Sequence, residues 1–155
     1  LGSGIPYSVP RGTYCCADGV WVAVSTSAES VARRLLAIIG ADHDERFSSF
    51  DGRIEHREEL DALVSQWIAA RPSAAVLAEF EAAHAAIAPV YTIEDLMADP
   101  HVVERGSIVE ADGITMQGPV ARLSKTPGEI RHAGRALGAD TEEVMHELDQ
   151  RGGAS

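Results

Sequence analysis

The chain has 155 residues, of which 45% are apolar, 24% charged and 5% aromatic, with a formal net charge of −11. That length holds one domain with a hydrophobic core, built here from Ala, Val, Leu and Ile rather than from aromatic side chains. The acidity excludes a phosphate-tracking nucleic-acid binder and an anionic-membrane binder, both of which need clustered cations, and no apolar run approaches the roughly 20 residues that span a bilayer.

Residues 1–12 are rich in Gly and Pro and carry no helical period, so they read as a loop. The chain opens Leu1-Gly2-Ser3-Gly4, without an initiator Met or a charged-then-apolar leader, which points to a cut or an expression boundary. Two β-rich runs, 13–17 and 20–24, flank Asp18-Gly19 and predict a hairpin whose two central turn residues both take φ > 0. Ser27 is the expected cap of a helix carried by Val31, Leu35, Ile38 and Ile39 and ended by Gly40, with Arg33 and Arg34 off its apolar face. The polar stretch 41–53 reads as a connection. Leu60, Leu63, Val64 and Trp67 mark a helix over 55–70, stopped at Arg71-Pro72. Another helix runs from Ser73 through Ala86.

Residues 87–91 predict a short extended segment. Thr92-Ile93-Glu94-Asp95 has capping-box spacing and predicts a helix to about Met97, followed by Asp99-Pro100-His101. Residues 107–110 and 114–117 flank Ala111-Asp112-Gly113 as a second hairpin. Residues 120–139 are irregular, and Asp140-Thr141-Glu142-Glu143 caps a last helix to about Asp149. Structureless runs beyond roughly 12–15 residues are uncommon inside a self-contained domain. The region 117–150 therefore reads as an arm that docks on a partner domain and carries an apolar strip of Val120, Leu123, Val144 and Leu148. The expected fold class is α/β, α+β-like in its hairpins plus helices.

The chemistry-bearing residues give no active site. Gly2-Ser3-Gly4 is neither a dinucleotide fingerprint nor a phosphate loop. None of the six histidines lies four residues from another, and Asp42-His43-Asp44-Glu45 reads as a solvated turn rather than a metal site. Cys15 and Cys16 are adjacent, so they build no disulfide framework, and a reducing, cytoplasmic setting is expected. One of them faces the core, and neither has a local base that would make it a nucleophile. Glu58, Glu59 and Asp61 read as an exposed helix face. There is no G-x-S-x-G elbow.

Four segments, in order, resemble the C-terminal portion of family III CoA-transferases, the group that also holds formyl-CoA transferase, carnitine CoA-transferase and the acyl-CoA racemases. They are Pro6-x-x-x-Pro10-x-Gly12-Thr13-Tyr14 running into Ala17-Asp18-Gly19-Val20-Trp21-Val22-Ala23-Val24; Asp44-Glu45-Arg46-Phe47 with Arg53, His56 and Arg57-Glu58-Glu59-Leu60 before Trp67-Ile68; Ala88-Pro89-Val90-Tyr91-Thr92-Ile93-Glu94-Asp95-Leu96 with Ala98-Asp99-Pro100-His101; and Gly118-Pro119-Val120, Thr126-Pro127-Gly128 and Gly138-Ala139-Asp140-Thr141-Glu142-Glu143-Val144. No one piece is specific; their joint order over essentially the whole chain is.

The resemblance implies a small α/β domain over 1–116, inserted into a larger Rossmann-like domain that lies outside this sequence. It implies a segment 117–150 returning to that domain, ahead of a disordered tail 151–155, and an interlocked homodimer. The family passes CoA from an acyl-CoA to a carboxylic acid: an aspartate nucleophile forms a mixed anhydride, and CoA thiolate then gives an enzyme thioester. That aspartate belongs to the large domain, so no catalytic residue is carried over and the chain alone is expected to be inactive. No tightly bound cofactor and no metal are implied; coenzyme A and acyl-CoA are substrates. The family's glycine-rich lid, which shields reactive acyl intermediates from water, corresponds in part to Gly2, Ser3 and Gly4, continuing to Pro6, Tyr7 and Ser8. Two alternatives stand beside the transferase. One is a racemase of the same group, which places a glutamate where this chain has Ala28, with Glu29 one residue off; the other is a non-catalytic binding or assembly module. The closing Gly138-Ala139-Asp140-Thr141 departs from a common His before the Thr.

Overall fold

A computed structural model describes residues 2–152. The fold is mixed α/β, with two small antiparallel sheets, and it divides into two compact units, Leu1–Val90 and Tyr91–Ser155.

In the first unit β1 (Arg11–Cys15) and β2 (Trp21–Ser25) pair antiparallel, and β3 (Ile87–Pro89) joins the far side of β2. The alternation is strict where it matters. Tyr14, Val22 and Val24 are buried, while Thr13, Ala23 and Ser25 share the opposite face. The hairpin forms, but its turn differs from the expectation. Cys16 N–H donates to Val20 O at 2.9 Å and Gly19 N–H to Cys16 O at 3.0 Å, which closes a three-residue loop. Only Gly19 takes a positive φ, 82°, as a type I turn with a following left-handed residue requires.

Helix α1 (Glu29–Ile38) buries Ala32, Leu35 and Leu36 and ends before Gly40, φ 71°. Its N-cap is Ala28, without a side-chain bond, so Ser27 is not the cap. The stretch 41–53 is more than a connection. A single 3₁₀ turn, Glu45–Phe47, and α2 (Phe50–Glu55) fold there, burying Phe47 at 0% exposure and Arg53 at 1%. Helix α3 (Arg57–Ala69) packs Leu60, Val64 and Ile68 inward, and Leu63 stays exposed. Helix α4 (Ser73–Ala82) stops earlier than expected, because His84 takes φ 53° and the chain reverses, with Ala85 N–H bonded to Phe80 O. Arg34 of α1 donates to His84 O at 2.8 Å.

Pro72, the N-cap of α4, has no capping side chain. Asp18, in the hairpin loop, supplies one from 55 residues away: its Oδ2 accepts from Ser73 N–H at 2.9 Å and from Ser73 Oγ–H at 2.8 Å. Those bonds, the hydroxyl first, hold the Asp18 carboxyl below its usual range. The hairpin and α4 are thereby fixed to each other over a core of Phe47, Leu60, Val64, Ile68, Val76 and Phe80, all at 0% exposure. Each such side chain contributes roughly 1.5–3 kcal/mol relative to exposure.

In the second unit α5 (Ile93–Ala98) carries the expected capping box, Thr92 with Asp95. Helix α6 (Pro100–Glu104) follows directly and was not expected; Asp99 caps it by accepting from Val102 N–H, and Pro100 opens it. β4 (Ile108–Ala111) and β5 (Ile114–Gln117) form the second hairpin, and here both turn residues, Asp112 and Gly113, have positive φ, 53° and 74°. Residues 118–137 carry no helix or strand. Helix α7 (Thr141–Gly152) runs past the expected end at Asp149, so Arg151 and Gly152 of the expected tail are helical; residues 153–155 lie outside the described residues. No helix among the described residues is long and apolar enough to cross a membrane.

Candidate functional site

The segment 2–10, read from sequence as a loop and a lid, folds back on the first unit through named bonds. Ser3 Oγ accepts from Thr13 N–H at 2.8 Å and shares a hydroxyl bond of 3.1 Å with Thr13 Oγ1. Gly12 lies close by, and a Cβ there would stand 3.1 Å from Ser3 Oγ, so a larger residue would press on it. Ile5 and Ser8 form an isolated bridge. Pro6 O accepts from Arg57 Nη2 at 2.8 Å, and Pro10 O accepts from the buried Thr26 Oγ1 at 2.6 Å.

Of the six residues expected in the lid, Gly2, at φ 55°, Ser3 and Gly4 lie at the near end of the segment. Tyr7 projects into solvent at 67% exposure, while Ser8 is buried at 3% with no hydrogen-bond partner for its Oγ among the described residues. A buried unpaired hydroxyl costs about 1–3 kcal/mol. Bonds thus hold the segment at Ser3, Pro6 and Pro10, and the Tyr7 side chain stands out from it.

Beneath Ser3 lies a cleft of about 440 Å³ on the outward face of the three-stranded sheet. Arg11, Thr13, Ala23, Ser25, Ala86 and Ala88 form most of its floor, with Ser3 on its edge. Its lining mixes apolar walls with a few polar groups, and it opens widely to solvent. Sequence reading missed Arg11, Thr13 and Ser25. The signal was present: strand alternation puts 11 and 13 on one face, and the hairpin register pairs Arg11 with Ser25 and Thr13 with Ala23.

Behind the sheet, Tyr14 Oη–H donates to Asp61 Oδ1 at 3.1 Å. Burial raises the Tyr14 hydroxyl well above its usual range, and burial likewise raises the Asp61 carboxyl. Asp61 is therefore part of the tie between β1 and α3 rather than of an exposed acidic face. Cys16 is buried, and burial pushes its thiol up, away from a reactive thiolate. Glu29 is committed to Arg53, with Oε2 2.6 Å from Nη2, which takes it away from acid–base work. His43 is 94% exposed at its side chain, and among the described residues no group of three or more His, Cys, Asp or Glu could hold a metal ion. In the second unit Val120, Leu123, Val144 and Leu148 are all more than half exposed.

The model of CoA-transferase family III matches residues 1–141. A succinyl-CoA–D-citramalate CoA-transferase of Chloroflexus aurantiacus is 30% identical over 155 residues, covering 95% of this chain and 39% of that protein. The beta subunit of a succinyl-CoA–L-malate CoA-transferase from the same organism is 31% identical over 151 residues, covering 92% of this chain and 37% of its own. Among solved structures, a CaiB/BaiF family protein from Brucella suis superposes with a TM-score of 0.72 at 23% identity, over 96% of this chain and 40% of that one. The chain thus spans about two fifths of the length of these relatives.

Proposed function

The chain belongs to CoA-transferase family III, and from that premise we propose that it is the small-domain portion of an acyl-CoA:carboxylate CoA-transferase, acting with a large domain that carries the nucleophilic aspartate. The net reaction exchanges a thioester for a carboxylate: acyl-CoA and a free acid give the acid of the first and the CoA thioester of the second. The named relatives act on succinyl-CoA with citramalate or malate, and small acids of that kind suit the cleft. In this reading 1–116 is the small domain, 117–150 returns to the large domain with its exposed strip of Val120, Leu123, Val144 and Leu148, and the assembly is an interlocked homodimer of the cytoplasm.

The observation that carries the proposal is the geometry of 2–10. Bonds from Thr13, Arg57 and Thr26 lay the segment against the first unit at Ser3, Pro6 and Pro10, which brings it to the edge of the cleft, while the Tyr7 side chain stands clear. Ser3 borders the cleft and, with Gly2, Gly4, Pro6, Tyr7 and Ser8, would exclude water from the acyl-enzyme intermediates.

The test uses the protein with its upstream sequence. Gly2→Val and Gly4→Val should raise hydrolysis of acyl-CoA relative to transfer, with the fold unchanged by circular dichroism. An unchanged partition between water and acceptor would remove the lid role.

A further inference from the structure

Resting on that transferase reading, we infer that Arg11 binds the non-reacting carboxylate of a dicarboxylic substrate and so sets a preference for diacids over monoacids. Arg11 is the one charged side chain lining the cleft. It is half-buried at the start of β1, and none of its neighbours among the described residues forms an ion pair with it. That is notable in a chain with 24 acidic and 13 basic residues, where a half-buried guanidinium would ordinarily find a carboxylate.

Polar groups beside it complete an anion site. Ser25 stands directly across the ladder from Arg11. Ser3 and Thr13 have two hydroxyl hydrogens and spend one on the bond between them, so one remains to donate. A guanidinium with neighbouring hydroxyl donors is the donor set that a carboxylate accepts from best. The rest of the wall is Ala23, Ala86 and Ala88, small enough to leave room for a short carbon chain.

The chemistry decides which carboxylate sits there. The reacting carboxylate loses its charge on becoming a thioester, so a fixed cation would hold the free acid and the thioester unequally. A second, distal carboxylate keeps its charge in substrate, intermediate and product alike. Arg11 therefore binds all of them equally, which lowers KM without changing kcat.

The experiment compares wild type, Arg11→Gln and Arg11→Lys in the protein with its upstream sequence, using succinate and butyrate as acceptors of matched chain length. Arg11→Gln should raise KM for succinate by about 10- to 100-fold, the loss expected of one charge-assisted hydrogen-bond pair. The succinate kcat should stay within about twofold, and the butyrate KM should not move. Arg11→Lys should recover part of the succinate affinity. An equal loss for both acids, or no loss for either, would overturn the inference.

A binding arm separates this inference from the transferase reading. Calorimetric titration with succinate alone should give binding that Arg11→Gln weakens by the same factor, with no matching change for butyrate. If the wild type transfers CoA to neither acid, the transferase reading fails, and the titration still decides on Arg11. Succinate binding that does not depend on Arg11 would overturn it.

Discussion

Arg53 is the most informative residue to perturb, because its guanidinium is almost fully buried while its counter-ion is not. It donates from Nη2 to Glu29 Oε2 at 2.6 Å, from Nη1 to Glu29 Oε1 at 3.3 Å, and from Nη1 to Phe47 O at 3.1 Å. Its Nε has no hydrogen-bond partner among the described residues. Side-chain exposure is 2% for Arg53 and 45% for Glu29. Removing one partner of a fully buried pair costs about 3–5 kcal/mol, since a charge is left uncompensated. Water screens the Glu29 side, so Glu29→Gln is expected to cost about 2 kcal/mol. Adding Arg53→Met removes the stranded charge, and the double variant should be more stable than Glu29→Gln alone.

Urea unfolding followed by tryptophan fluorescence reads this directly, because Trp21 and Trp67 both lie in the first unit. The pH dependence supplies the sign check. Hydrogen bonding to Arg53, ahead of simple charge attraction, holds the Glu29 carboxyl below its usual value. A depressed carboxylate contributes stability that is present above the unfolded value, about 4.3, and lost as pH falls through the folded value. Arg53→Met should abolish that acid limb. A cost for Glu29→Gln below about 0.5 kcal/mol, or a double variant weaker than the single, would refute the picture of a guanidinium that depends on one half-exposed carboxylate.

Three further outcomes follow from the same geometry. Gly52→Ala, which in an ordinary helix gains roughly 0.5–1 kcal/mol, should here lose about 1–3 kcal/mol in urea unfolding, because the new Cβ would stand 2.4 Å from the backbone oxygen of Arg46. Ser8→Ala removes the buried unpaired hydroxyl and should hold or raise stability by about 1 kcal/mol; a clear loss would mean that Ser8 Oγ has a partner. Burial raises the Asp61 carboxyl, so its contribution to stability is present below the unfolded value near 3.9 and lost as pH rises through the folded one. Tyr14→Phe takes away the bond that opposes this rise and should shift the Asp61 carbon resonance to titrate at still higher pH.

What the sequence made legible follows from how local each cause is. The capping box at Thr92 and the two-residue turn at Asp112-Gly113 are settled by side chains within a few positions, and both form as expected. The same Asp-Gly pair at 18–19 builds a different turn. There Asp18 is held by Ser73, a partner that no local pattern announces. Phe47 and Arg53 hide in a polar stretch because one apolar residue makes no period, and a buried arginine is intelligible only once Glu29 is seen beside it. Asp99-Pro100 reads as a break when Pro is taken as a helix stopper, yet Pro at the first position opens a helix, and α6 does so. The cleft was within reach of alternation plus register; what hid it is that its polar groups come from three separate segments.

Strand β1 joins the two roles of this unit. Its inward residue Tyr14 is tied to Asp61, 47 residues away, and its outward residues Arg11 and Thr13 line the cleft, where Thr13 holds Ser3. Because side chains alternate with a period of two, a slip of one residue would put Arg11 and Thr13 into the core and Tyr14 into the cleft. The Tyr14–Asp61 bond and the Thr26–Pro10 bond set that register from opposite ends of the strand. Core variants that loosen either bond should therefore change ligand affinity at the cleft without touching a residue that lines it. Variants at Arg11, which is only half-buried and forms no ion pair among the described residues, should change affinity with little effect on stability. If the cleft binds the proposed diacid, this asymmetry would give the inner face of β1 a positioning role and the outer face a recognition role.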